Sequence, residues 1–451
     1  MNLPNYFIAD LPAGAELSRV MIREACEVLR RNREQYLAGR STQSLVKLLA
    51  GVAENWLHPD YPFRKLALEH GPEATGFSEA TLRTGLDNFF RQLTVENFHA
   101  LLVQEVGHAQ RLDEFSANGD APHHRALAHG PELLVHFAAG NVPNPTLMSM
   151  TLGVLLRSAQ FVKCASGAAF LPRLFAHSLY DADRKLGACL EIAEWRGGHA
   201  ALEEELFAAA DCLTVTGSDE TLATVQKKLP ARVRFVGYGH RISFGYVSSG
   251  ALAGFAAKKI VAAAATDVVA WNQLGCLSPH VIYVEHGGGV SAEQFAEMLA
   301  EELAQRETSE PRGELPLELA ATIASRRAFY EVRAAHSPDT RMWRSDNSTA
   351  WTVIYEADAL FQASCLNRFV YVKGTTDLIH TLQSADAVRG KVSTVGLAVP
   401  DDKAGELAAQ LAHWGVTRIC PLGQMQNPPL TWRHDGRPAL GDLVTWTDWE
   451  R

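Results

Sequence analysis

The chain has 451 residues, 47% hydrophobic and 21% charged, a balance too apolar for disorder and ordinary for a large globular protein of several domains. Its 42 basic and 51 acidic residues leave a formal net charge of −9, which speaks against nucleic acid or an anionic membrane as partner. Seven cysteines, scattered singly without a CxxC pair, speak against a disulfide framework or a zinc module.

The N-terminal stretch from Met1 to Glu16 has no basic region leading into an apolar run, so no signal peptide is expected and the cytoplasm is the expected compartment. Apolar residues at helical spacing predict helices over Leu17–Leu37, Gln43–Leu57 and Ser78–Val106, with Thr94 to Asn97 as a candidate N-cap region. From His129 onward strands and helices alternate. Leu133–Ala139 is a short apolar run ending in the turn Gly140 to Pro145, followed by a helical Thr146–Leu156. A β-like Gln160–Lys163, a helical Phe170–Tyr180 and an apolar Cys189–Trp195 come next, the last stopping at Gly197 and Gly198. Helices over Ala200–Ala209 and Asp219–Lys228 bracket a strand, Cys212–Thr216, that stops at Gly217 and Ser218, and Arg232–Val236 follows. Such alternation predicts βα units and a largely parallel sheet, with ligands at strand ends that meet Gly- or Asn-bearing turns.

Further on, Ala251–Ala265 predicts an Ala-rich helix that Lys258 and Lys259 interrupt. It falls short of the roughly 20 apolar residues a membrane span needs. Pro279–Glu285, Arg368–Val372, Val392–Val399 and Thr417–Cys420 are strand candidates, and Glu301–Gly313 reads as an exposed connection.

Four segments carry candidate chemistry, each with a plainer alternative. Asn141, in the turn from Ala139 to Pro143, is an oxyanion donor or simply a turn residue. Lys163, at the end of a strand, taken alone reads as a solvated cation. Gly217 and Ser218 before a helix offer N–H groups and a hydroxyl to a phosphate, or form an ordinary helix cap. Cys276, in a polar loop between a helix and a strand, is a thiolate nucleophile or a small buried hydrophobe. His123, His124 and His129 lack zinc spacing and read as surface residues, so no metal is expected. No GxGxxG, GxSxG or Walker A motif is present; Gly237 and Gly239 begin the first without its third glycine.

Taken in order, Asn-x-Pro, a strand-end lysine, Thr-Gly-Ser and a loop cysteine resemble the aldehyde dehydrogenase superfamily. The stretch from His129 to Glu285, with the run Arg418 to Trp432 and the triplet His434 to Gly436, is similar to the acyl-CoA reductase family that contains the fatty-acyl reductase component of bacterial bioluminescence. The resemblance implies an α/β, aldehyde-dehydrogenase-like fold. Residues 1–240 would hold the N-terminal helices and a Rossmann-variant cofactor domain, 241–420 an α/β catalytic domain, and 421–451 a segment packing back on the core. It implies Cys276 as the acylated nucleophile and Asn141 as oxyanion donor, helped by the Cys276 N–H. It further implies Lys163 at the adenosine ribose, Gly197 and Gly198 near the adenine, and Gly217 and Ser218 at the pyrophosphate, with Gly140 and Thr216 lining the same cofactor site.

Two departures bear on the reaction. The superfamily's Glu in a Leu-Gly-Gly turn, which activates hydrolytic water, is absent from Phe235 to Arg241, so the resemblance implies a reductase, not a hydrolase; His240 lies close to that position as a candidate base. The Glu-x-Phe that holds the nicotinamide ribose has no match between Tyr355 and Arg368. The acidic residue three positions after the lysine in NAD-preferring relatives is Ser166 here, which points to NADPH. The expected reaction is reduction of an acyl thioester to an aldehyde, the acyl group coming from CoA, a carrier protein or an acyl ligase, in a homo-oligomer without membrane insertion. The rivals are a non-redox acyltransferase or thioesterase that uses Cys276, and a scaffold docking an acyl-activating ligase.

Overall fold

Serine and threonine caps at regular intervals cut the N-terminal region into helices. The computed structural model describes residues 3–12, 14–118, 121–253 and 256–450. Its first helices are α1 (Arg19–Tyr36), α2 (Thr42–Leu57), α3 (Pro62–Thr75), α4 (Glu79–Phe90) and α5 (Val95–Val106). Ser18, Ser41, Ser78 and Thr94 each accept a backbone N–H at the start of α1, α2, α4 and α5. The stretch expected as one helix from Ser78 to Val106 is therefore two, broken before the Thr94 cap. The sequence reading lacks α3, whose interior holds Gly71 and Pro72 and whose amphipathic pattern is weak. Two strands it also lacks, β1 (Ser116–Asn118) and β2 (Ala121–His129), follow.

The alternating section folds as β3 (Leu133–Phe137), α6 (Asn144–Leu155), β4 (Ala159–Cys164), α7 (Phe170–Ala182), α8 (Arg184–Gly187), β5 (Leu190–Glu194), α9 (Ala200–Ala209), β6 (Cys212–Thr216), α10 (Asp219–Lys228) and β7 (Arg234–Tyr238). Its strands form one parallel sheet in the order β5-β4-β3-β6-β7. Residues 239–241 then lead into the second half. There lie β8 (Ile242–Val247), α11 (Ala256–Val269), β9 (Pro279–Glu285), α12 (Ala292–Ser309), α13 (Leu317–His336), β10 (Thr340–Arg344), β11 (Thr352–Glu356), β12 (Phe369–Thr375), α14 (Leu378–Ser384), β13 (Val392–Ala398), α15 (Asp401–Trp414) and β14 (Arg418–Pro421). These strands make a seven-stranded sheet, β10-β11-β12-β9-β8-β13-β14, parallel except where β10 meets β11. The last strand, β15 (Thr445–Glu450), returns to pair with β2.

Glu301–Gly313 is not a connection but largely helix. The α12 helix runs to Ser309 because its charges pair one turn apart, Arg306 Nε sitting 2.8 Å from Glu302. The N-terminal helices are not a separate unit either. Ile22, Cys26 and Leu29 of α1 pack with Leu133, Phe161 and Leu213 on one face of the five-stranded sheet. On its other face α2, α4 and α5 share a core with α6 and α7 that reaches as far as Trp271 and Leu440.

Candidate active site

In a parallel sheet the loops after the strands all open at one edge, and the cofactor candidates sit on that edge. Lys163 lies inside β4, not at a solvated strand end. It is 6% exposed, its Nζ 5.5 Å from the Phe137 ring centre and 5.8 Å from that of Trp195. Burial lowers its pKa, against the opposing pull of Glu203, Cys164 and Glu194. Gly197 leaves room beside it: a Cβ there would sit 3.9 Å from Nζ. Gly198 has a left-handed φ of 90° and donates its N–H to buried Glu203 at 2.7 Å. Gly140 packs tightly, a Cβ falling 3.2 Å from that of Ala165.

Ser166 is exposed in the turn between β4 and α7, but that turn does not lack a carboxylate. Glu194, at the end of the neighbouring β5, accepts the N–H groups of Gly167 at 2.7 Å and Ala169 at 3.2 Å. It thereby caps α7, whose own N-cap residue, Ala169, has no side chain to do so. The acidic group that Ser166 replaces in sequence is thus supplied beside the turn by a neighbouring strand. Thr216 ends β6. Ser218 caps α10 by accepting Thr221 N–H at 3.2 Å, so in this arrangement the ordinary cap is what the turn forms. Gly217 N–H donates to Tyr238 O.

This edge suits a nucleotide. Trp195 Nε1 is buried without a hydrogen-bond partner among the described residues, beside the Lys163 ammonium. A ribose or phosphate oxygen satisfies both.

Cys276 lies in the loop between α11 and β9. Before it, Trp271, Asn272 and Gln273 all hold positive φ values, 50°, 51° and 65°, costly for residues with side chains. The strain is held by contacts. Asn272 donates to Arg312 O at 2.7 Å and accepts from Arg368 Nε at 3.1 Å, while Gln273 donates to Pro279 O at 2.7 Å. Trp271 stands edge-on to Phe77, ring centres 5.2 Å apart. Ser243, at the start of β8, donates to the Cys276 carbonyl at 2.7 Å. Asn141 reaches across from the half built on the five-stranded sheet and donates through Nδ2 to Leu274 O at 2.8 Å, its second N–H having no partner among the described residues. The structure thus brings Asn141 and the cysteine loop together.

The half-buried Cys276 thiol has its pKa pushed up to about 12 by burial and by Asp435, against its own backbone N–H, Arg241 and Arg418. At neutral pH it is protonated and needs a base. His240 is exposed; its main-chain N–H donates to Asp219 Oδ1 at 3.0 Å, and no hydrogen bond joins its ring to Cys276 among the described residues. What the sequence reading missed is the C-terminal loop at this junction. His434 stacks on Tyr238 at 4.5 Å, and Asp435 pairs with Arg241 at 3.2 Å. The triplet His434 to Gly436 was the available signal, but its place beside the junction is a tertiary fact.

A five-stranded parallel sheet joined to a second sheet whose loop carries a cysteine defines an aldehyde-dehydrogenase-like fold. The fold agrees with solved structures. The Δ-pyrroline-5-carboxylate dehydrogenase of Mycobacterium tuberculosis superposes with a TM-score of 0.68 at 13% identity, over 97% of this chain and 83% of that one. Betaine aldehyde dehydrogenase from Staphylococcus aureus gives 0.69 at 12% identity, over 96% and 88%. More particularly, residues 37–446 match the acyl-CoA reductase (LuxC) family, and the chain belongs to it. Long-chain acyl-protein thioester reductases are similar to it over 90% of its length: that of Aliivibrio fischeri is 23% identical over 419 residues, and a second from Photobacterium leiognathi 21% over 416, each match spanning 82% of the relative. The protein is an enzyme, an aldehyde-forming acyl reductase with a nicotinamide cofactor.

Proposed function

We propose that the enzyme reduces a long-chain acyl thioester to an aldehyde through an acyl-enzyme on Cys276, with NADPH as reductant. The observation that supports it most is the Asn141–Leu274 hydrogen bond of 2.8 Å, which ties an amide donor of one domain to the nucleophile loop of the other. The thiolate attacks the thioester carbonyl. The oxyanion is met by the free Asn141 N–H and the Cys276 N–H, each contributing on the order of 3 kcal/mol. Collapse expels the donor thiol and leaves the acyl group on Sγ. A bound nicotinamide would supply hydride, with Lys163 and Trp195 to hold its adenosine end and the 217–218 turn its pyrophosphate. The stretch from Phe235 to Arg241, where the superfamily has its water-activating Glu, holds no Glu to direct water at the acyl-enzyme. Ser166 and Lys163 favour the 2′-phosphate, and Glu194 opposes it less than a free carboxylate because both its oxygens accept amides.

The relatives' names make an acyl group on CoA or on a protein the expected donor; a homo-oligomer in the cytoplasm is part of the same proposal. Intact-protein mass spectrometry with acyl-CoAs of graded length tests this. An acyl adduct should appear on Cys276 and vanish on NADPH addition with release of aldehyde. An adduct that hydrolyses to fatty acid at the same rate without NADPH would instead mark a thioesterase.

A further inference from the structure

The proposed reaction requires a thiolate, yet the Cys276 thiol rests protonated and the exposed His240 makes no hydrogen bond to it among the described residues. The C-terminal loop supplies a different imidazole. Residues 432–437 lie over the junction of the two halves. The His434 ring is nearly parallel to Tyr238 at the end of β7, ring centres 4.5 Å apart at 11°, and lies 4.7 Å from the Trp432 ring. Asp435 adopts a left-handed φ of 53°, a strained choice for a residue with a side chain. Its carboxylate is buried, paired with Arg241 Nε at 3.2 Å and accepting from Ser393 Oγ at 3.4 Å. The next residue, Thr394, donates its N–H to Ser243 Oγ at 3.1 Å, and that hydroxyl donates to the Cys276 carbonyl at 2.7 Å. The loop and the nucleophile are therefore fastened to the same two strand starts, β8 and β13.

Neither nitrogen of His434 makes a hydrogen bond among the described residues; Nε2 comes no closer than 3.9 Å to Asp435 Oδ1. Trp432 Nε1 beside it is buried without a partner as well. A half-buried imidazole and a buried indole N–H, both left open at the junction, call for a polar ligand or a proton to move.

We propose that His434 is the proton acceptor for Cys276, positioned by the Tyr238 and Trp432 rings and by the Asp435–Arg241 pair. This rests on the reading of Cys276 as nucleophile. The S–H bond breaks, the electron pair stays on Sγ and the proton moves to an imidazole nitrogen. That proton then passes to the departing donor thiolate, which leaves as a neutral thiol, and hydride reduction returns Cys276 as thiolate with the aldehyde. The charged groups facing the thiol are Asp435, Arg241 and Arg418; those facing His434 are Asp435 and Arg241. Burial holds the imidazole pKa below its usual value, with Asp435 opposing, so at neutral pH the ring is free to accept.

The test is the pH dependence of Cys276 alkylation by iodoacetamide in the full chain, read by intact mass, for wild type, His434→Gln, His434→Phe and His240→Ala. Both His434 variants should alkylate roughly 10²-fold more slowly at neutral pH and regain rate in alkali, while His240→Ala follows the wild type. His434→Phe keeps the ring stack, which separates proton transfer from loop packing. Wild-type rates in both His434 variants overturn the proposal. So does a loss in His240→Ala, or a loss in the His434 variants that alkali does not restore. Failure of wild-type Cys276 to take an acyl group from acyl-CoA would sink the nucleophile reading instead, whatever the alkylation profiles show.

Discussion

Lys163 shows that a residue's chemistry is set by what surrounds it. Held between Phe137 and Trp195, it is a buried cation, and Glu194 approaches the adjacent turn from another strand. On the proposed reading, cofactor choice is a contest between Lys163 and a carboxylate that accepts two amide N–H groups. Placing a second carboxylate there with Ser166→Glu should raise the Michaelis constant for NADPH several-fold and spare NADH, as steady-state kinetics with both cofactors will show; equal effects on both would count against a 2′-phosphate at this turn. At the nucleophile, Cys276→Ala should abolish acyl labelling while leaving cofactor binding, measured by fluorescence quenching, nearly intact. Asn141→Ala should lower turnover roughly 10²–10³-fold with little change in acyl-donor affinity, because the oxyanion exists only in the transition state. A change in affinity alone would make Asn141 a binding residue.

Among the elements, the turn before Cys276 depends on a helix distant in sequence. Trp271 lies against Gly85 of α4, where any Cβ would run into the indole. The left-handed run Trp271 to Gln273 aims the loop, and Gly85 is what lets the indole seat. Gly85→Val should cost about 1–3 kcal/mol of stability, the usual price of overpacking, and slow Cys276 acylation more than it weakens cofactor binding. A melting temperature and acylation rate both equal to wild type would show that α4 does not set the loop. The same packing explains why the helical region was hard to place from sequence: its apolar stripes predict helices but not what they cover.

For the whole molecule, the N-terminal segment is docked on the half built around the five-stranded sheet. Tyr6 stacks on Tyr180 at 4.1 Å, Ile8 N–H donates to Glu191 at 2.7 Å, and Asp10 meets His177 at 3.0 Å and Arg173 at 3.1 Å. Burial would raise the Asp10 pKa, but His177 and the Phe7 and Tyr6 N–H groups outweigh it and hold it below the ordinary 3.8. A depressed carboxylate pKa stabilises the fold above its unfolded value and loses that contribution as pH falls through the folded one. Asp10→Asn should therefore lower the melting temperature by a few degrees at pH 7, and the gap to wild type should close in acid below about pH 4, as calorimetry at both pH values will show. A gap that persists unchanged in acid would assign the loss to packing. At the other terminus β15 closes the small sheet on β2, so the two ends of the chain each fasten a different part of the first half.

Local pattern determined the alternation of β3 to β7 with their helices, since period-two and period-3.6 apolar spacing and the Gly, Ser and Asn stops are short-range signals. It also marked Asn141 and Cys276, because turn and loop chemistry can be read from a few adjacent residues. The β2–β15 pairing, the seating of Trp271 on Gly85, the arrival of Glu194 beside Ser166 and the placing of His434 on Tyr238 were decided only by tertiary structure. Each joins segments far apart in the chain. Long-range contact depends on which faces are left to bury once every element has formed, and no local spacing records that.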